Sequence, residues 1–228
     1  MKAQGTAWAA EIAQKILAKD GVALTIQNGL GNYEVLRDSV GEERAAVGAI
    51  YVGARLDEHG ELRATGPGRA ELGRPVGTGS REHLNRLAGL LRAGGMDVSI
   101  REDIWTAIWR KVATNAAVNP TTALLGCLNS ELLGDVAAGR IADVLAREVA
   151  RVATAAGVQI GEDDAVTWWR EMAQLTGPNR SSMLQDVEAK RVTEVDAICG
   201  AVYREGQRRG VDAPLNQAMT LLVSALHP

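Results

Sequence analysis

"WRKVATNAAVNP", residues 109–120, is the stretch on which the reading of this chain turns. Lys111, Asn115 and Asn119 recur at every fourth position, so at 3.6 residues per turn they draw one slowly drifting polar stripe along a helix. Val112, Ala113, Ala116, Ala117 and Val118 cover the other sides. One ammonium and two amides on an otherwise apolar helix need a partner.

Downstream of this stretch the apolar spacing stays helical. It predicts helices over 103–118, 135–156, 162–174, 181–208 and 214–226, with Gly157 and Gly210 as C-terminal caps. Upstream the period changes. A helix over 7–19 carries Trp8, Ile12 and Ile16 on one face, with Gly21 just beyond its end. A short strand over 22–26 then runs into "QNGLGN", followed by a short helix over 33–37 and a buried strand over 45–54. An antiparallel pair around Gly60, a turn at "GPG", a helix near 80–93 with Leu84, Leu87 and Leu91 facing inward, and the strand "DVSI" complete this half. Strand signals end at Arg101. The expected division is therefore an α/β domain over 1–101 and an all-helical domain over 102–228.

Composition narrows the function classes. The chain has 228 residues, 46% hydrophobic and 23% charged, which is the profile of a globular protein with one large or two modest domains. A net charge of -3 and a pI near 5.7 offer no basic field for nucleic acid. No apolar run approaches the roughly 18 to 20 residues of a spanning helix, and Glu11, Gln14 and Lys15 interrupt any signal-like segment, so the expected location is cytoplasmic. Cys127 and Cys199 stand far apart, as reduced structural thiols rather than a metal site. The three histidines His59, His83 and His227 sit in no recognisable catalytic or zinc motif, which leaves lysine or carboxylate for any acid-base chemistry.

Four segments occur in an order that resembles the ketopantoate reductase (2-dehydropantoate 2-reductase) family. They are "MKA" at the start, "QNGLGN" at 27–32, "WRKVATNAAVNPTTALLGCLNSEL" at 109–132 and "NRSSMLQDVEAKRVTEVD" at 179–196. The resemblance implies a Rossmann-type NADP-binding domain followed by a helical domain like that of 6-phosphogluconate dehydrogenase. It also implies NADPH-dependent reduction of a 2-keto acid, a step of pantothenate biosynthesis. Lys111 would then be the general acid, with Glu194 beside it. Asn115, Asn119 and Ser182 would hold the substrate, and Lys2, Asn28 and Glu194 would lie on the cofactor side. No metal is implied.

Each residue has a plainer role when taken alone. Lys111 next to Arg110 can snorkel from a helix end, and Asn119 before Pro120 can end a helix. Ser182 can cap a helix, Glu194 can pair with a neighbouring arginine, and Gly29 and Gly31 can serve a tight turn. By the same comparison the chain lacks an opening on the order of 70 residues, about two βαβ units that carry the G-x-G-x-x-G turn. A sheet without them exposes an edge and predicts self-association, most simply as a homodimer. Two other readings stand beside the first: a paralogous 2-keto acid reductase, and a non-catalytic helical binding or oligomerisation relic.

Overall fold

A computed structural model describes residues 1–56, 61–64, 68–74 and 81–226. They form two compact units: Met1–Gln27 with Asn32–Ala107, and Asn28–Gly31 with Ile108–Pro228.

In the first unit a single turn of 3-10 helix, Ala3–Gly5, runs into helix α1, Thr6–Ile16. Strand β1 (Ala23–Thr25), helix α2 (Asn32–Val40) and a second 3-10 turn (Glu42–Arg44) follow. Next come strands β2 (Ala45–Tyr51), β3 (Ala54–Leu56), β4 (Leu62–Ala64) and β5 (Arg69–Gly73), then helix α3 (Arg81–Ala93) and strand β6 (Asp97–Ile100). The main sheet has the order β1-β2-β5-β6. Strand β1 runs parallel to β2 with Thr25 opposite Val47, β5 lies antiparallel with Gly73 opposite Val47, and β6 is parallel to β5. Strands β3 and β4 pair separately. The first five residues of β2 are buried without alternation, the pattern of a strand covered on both faces. Its small residues also permit close approach: a Cβ at Gly48 would lie 2.6 Å from Leu72 Cδ2. Among the described strands, β1 pairs with β2 alone.

Two expectations for this half change. The first helix ends at Ile16, and its Trp8, Ile12 and Ile16 face is open to solvent, at 64%, 37% and 76% exposure. The packed face is the one with Thr6 and Ala10, because small residues let α1 lie close against α2. Leu84 is buried and Leu87 and Leu91 partly buried, as their spacing predicts. The turn at Gly60 lies outside the described residues.

Arg74, just past β5, is only 7% exposed, and none of its three guanidinium nitrogens has a hydrogen-bond partner among the described residues. Burial lowers its pKa, opposed by the nearby Tyr33 and Glu43. A buried cation without acceptors costs stability that an apolar side chain of similar length avoids. Arg74→Met is therefore expected to stabilise the fold by about 1–3 kcal/mol. A lower denaturation temperature in a thermal scan would instead show that the guanidinium is satisfied.

The helical part begins with α4 (Ile104–Leu125), whose first turn belongs to the first unit. It continues with α5 (Glu131–Gly134), α6 (Val136–Ala155), α7 (Glu162–Leu175), α8 (Ser182–Glu188), a π turn (Asp196–Gly200), α9 (Ala201–Arg209) and α10 (Pro214–Ser224). Asp135 caps α6 by accepting from the amides of Ala137 and Ala138 at 2.8 and 2.9 Å. The fully buried Trp169 of α7 donates to Asp143 of α6 at 3.0 Å. Gly157 (φ +94°) and Gly210 (φ +70°) end α6 and α9 as anticipated. No helix among the described residues is long and apolar enough to cross a membrane.

Two helices differ from their expected bounds. The helix expected over 103–118 continues through Pro120 to Leu125. Proline removes one backbone donor, and the next turn is tightened by Thr121 and Thr122, whose hydroxyls donate back to the carbonyls of Ala117 and Val118 at 2.8 Å each. The helix expected over 181–208 is broken instead. Residues 188–192 are all exposed, so no burial holds them helical, and Lys190 adopts φ +52°. Helical backbone resumes only after Thr193, whose hydroxyl accepts from the amide of Val195.

Candidate active site

Lys111 lies about two turns into α4, among Trp109, Val112 and Ala113, which are 4%, 2% and 0% exposed. Burial lowers its pKa from 10.5 to about 8, and the carboxylate of Glu194 opposes that fall by favouring the ammonium. Lys111 is thus a half-buried lysine in the interior of the helix, within electrostatic reach of a carboxylate, rather than a lysine at a helix end. One turn on, Asn115 is half-buried, and a turn beyond it Asn119 is 5% exposed in the middle of the helix.

Glu194 sits on the link between α8 and the π turn, and accepts a 2.8 Å hydrogen bond from the side-chain amide of Asn28. The neighbouring arginine, Arg191, bonds to Asp186 at 3.2 Å. The break in the expected long helix matters here. On a straight helix Ser182 and Glu194 fall out of register, whereas the break lets each side chain be aimed by its own element.

The cap of α8 is Ser181 and not Ser182. Ser181 Oγ accepts from the amide of Leu184 at 3.1 Å and shares a hydroxyl–hydroxyl hydrogen bond of 2.7 Å with Thr122 Oγ1, which ties the start of α8 to α4. Ser182 is exposed. Thr122 escaped the sequence reading, and two adjacent serines gave no way to choose the capping one.

Lys2 belongs to the first unit, where its carbonyl accepts from Gly5 N at 2.9 Å and from Gln27 Nε2 at 3.4 Å. A second set of residues missed by sequence reading lies beside it. Thr25 donates to Gln27 Oε1, Gln27 Nε2 donates to Thr6 Oγ1 at 2.9 Å, and Thr6 donates to Asn32 Oδ1 at 2.7 Å. This directed chain joins β1, α1 and α2 at the foot of the "QNGLGN" loop.

The loop itself has two left-handed glycines, Gly29 (φ +88°) and Gly31 (φ +87°), the tight turn read from the sequence. Gly29 also makes a close backbone approach to the π turn: Leu30 N–H donates to Ala197 O at 2.9 Å. Together the helical unit assembles Lys111, Glu194 and Asn28, with Asn115 and Asn119 along the same helix as the lysine.

An α/β unit with a mixed sheet and a helical unit carrying a lysine near a carboxylate make up the fold, and comparison with known proteins supplies the class, a dinucleotide-dependent oxidoreductase, and the family. The C-terminal model of ketopantoate reductase PanE/ApbA matches residues 103–227, and the companion ketopantoate reductase model matches residues 1–77. The 2-dehydropantoate 2-reductase of Archaeoglobus fulgidus is 34% identical over 93% of this chain and 70% of that protein. That of Pyrobaculum aerophilum is 38% identical over 90% of this chain and 69% of its own. Among solved structures, D-mandelate dehydrogenase with NADH and anilino(oxo)acetate superposes with a TM-score of 0.92 at 26% identity, covering 99% of this chain and 73% of that one. The 2-dehydropantoate 2-reductase of Geobacter metallireducens gives a TM-score of 0.86 at 28% identity, over 99% and 75%. The chain belongs to the ketopantoate reductase family.

Proposed function

We propose that this chain reduces 2-dehydropantoate to pantoate, the step that serves pantothenate biosynthesis, with NADPH as the reductant and Lys111 as the general acid. The observation that carries the reading is the placement of Lys111 inside α4 within electrostatic reach of Glu194, whose carboxylate Asn28 holds at 2.8 Å; burial there brings the lysine's pKa to about 8. Reduction of a ketone builds negative charge on its oxygen. An ammonium whose pKa lies near the working pH both stabilises that charge and supplies the proton. Asn115 and Asn119, neutral amides that donate to carboxylate and accept from hydroxyl, would position the keto acid without competing with the lysine's charge, and the exposed hydroxyl of Ser182 would join them.

A nicotinamide cofactor supplies the hydride when bound. The residues present suit its sugar end: the Asn28 amide and Glu194 carboxylate are already fixed to one another at 2.8 Å, which preorganises both for polar recognition. By the family resemblance alone, Lys2 of the first unit would also belong to the cofactor side.

A second reading, an NADH-dependent reductase of an aryl 2-keto acid, is favoured by the likeness to the D-mandelate dehydrogenase complex. Steady-state absorbance assays pairing NADPH or NADH with 2-dehydropantoate or phenylglyoxylate separate the two. The expected result is at least a tenfold higher kcat/KM for NADPH with 2-dehydropantoate, roughly 1.4 kcal/mol of discrimination. The reverse preference selects the second reading, and no oxidation with any pair removes both.

A further inference from the structure

We infer that Gly29 is a positioning residue for the site: through the π turn it holds Asn28 against Glu194. The inference begins with the irregular helix that follows Glu194. In a regular α-helix the carbonyl of Ala197 would bond to the amide of Ala201, but that amide bonds to Ile198 O. The carbonyl of Ala197 accepts from Leu30 N–H at 2.9 Å, across to a segment far away in sequence. The π turn therefore presents a backbone acceptor to the "QNGLGN" loop, a use of helical irregularity that recurs at functional sites.

Space allows this contact only because residue 29 is glycine. A Cβ there would lie 2.0 Å from Ala197 O and 2.5 Å from its carbonyl carbon, both backbone atoms with no side-chain freedom to give way. The loop is thereby held at two adjacent points on one stretch of chain. Asn28 is fixed by its side chain to Glu194, and Leu30 by its amide to Ala197, three residues beyond Glu194. Gly29 is the joint between the two bonds, so its close fit sets the geometry with which Asn28 meets the carboxylate that faces Lys111. Gly31 has the same backbone conformation, φ +87°, but a Cβ there meets nothing within 4 Å. Its methyl variant is a matched control for backbone strain without displacement.

This role rests on the proposed reductase reading only for its effect on turnover; the clamp itself is read from exchange. In the unsubstituted protein the Leu30 amide should exchange about tenfold or more slowly than its intrinsic rate, the signature of a stable hydrogen bond. Gly29→Ala should abolish that protection while amides of the α6 core, such as Val149, keep theirs. Gly31→Ala should leave Leu30 protected. In the reductase assay Gly29→Ala should lower kcat/KM to the level of Asn28→Ala, and the double variant should be no worse than either within about twofold, because both changes remove one and the same contact. Leu30 protected in Gly29→Ala, unprotected in the parent, or losses that multiply in the double variant would each overturn the inference. Protection lost as described in a protein without reductase activity upholds the clamp and discards the reductase reading.

Discussion

Lys111→Ala is expected to lower kcat for keto-acid reduction by about 10²- to 10⁴-fold, the usual contribution of a positioned proton donor. KM should change far less, since the lysine acts where charge develops rather than where substrate is first held. The pH profile gives a second readout. A general acid must be protonated, so activity is present below the lysine's pKa and falls as pH rises through about 8. Stability should move the opposite way. The folded pKa lies below the unfolded value of 10.5, so below about pH 8 the charged lysine is carried into the fold at full cost. From about 8 to 10.5 the folded protein sheds the proton first, and stability rises with pH over that window. Lys111→Met should accordingly be more stable than the parent at neutral pH by about 2–3 kcal/mol, with the difference vanishing above the unfolded pKa. A variant that is inactive but no more stable would place the ammonium in water.

The second large effect concerns the start of α10, which a carboxylate from within α6 caps. Glu148, 2% exposed, accepts from the amides of Leu215 and Asn216 at 3.0 and 2.9 Å and from the Asn216 side chain at 2.8 Å. Helix α10 begins at Pro214 behind Ala213, which has no side chain to cap it. The distant carboxylate does that work, and its negative charge meets the positive end of the helix dipole. Glu148→Ala removes the acceptor of three donors at once, the two of Asn216 buried and the Leu215 amide partly so, and should destabilise the chain by about 3–5 kcal/mol. Urea unfolding checks it: the midpoint should fall with little change in slope, and a midpoint within experimental scatter of the parent would refute the role. Cys199 lies near enough for Glu148, after burial itself, to raise its thiol pKa.

Which of these features the sequence announces follows from whether they are local. Helices α6, α7 and α10 are periodic and bounded by glycine, aspartate or proline, so their positions were readable to within a residue or two. The break between α8 and the π turn was not. Apolar residues at Met183, Leu184, Val187, Val195, Ile198 and Val202 keep a helical rhythm across it, and only the exposed run at 188–192 interrupts the burial. Pro120 misled in the opposite sense, because its lost hydrogen bond is tolerated in a buried helix whose threonines bond back to the turn before. Trp8, Ile12 and Ile16 marked the apolar face of α1, but packing chose the small one. At the site, Lys111, Asn115 and Asn119 could be seen as one stripe from spacing alone. Asn28, Glu194 and the Ser181–Thr122 link could not, since each joins segments remote in the chain, and such pairs leave no local periodicity to read.

The assignment of Asn28–Gly31 to the helical unit, while residues on either side belong to the other, bears on how this protein can be dissected. The backbone passes from one unit to the other at 27/28, 31/32 and 107/108, so no single cut yields two autonomous pieces. A recombinant fragment starting at Ile108 would keep every helix from α5 onward yet lose the Leu30 and Asn28 donors that reach the Ala197 carbonyl and the Glu194 carboxylate. Complementation with a short synthetic peptide spanning "QNGLGN" would be the route to restoring them.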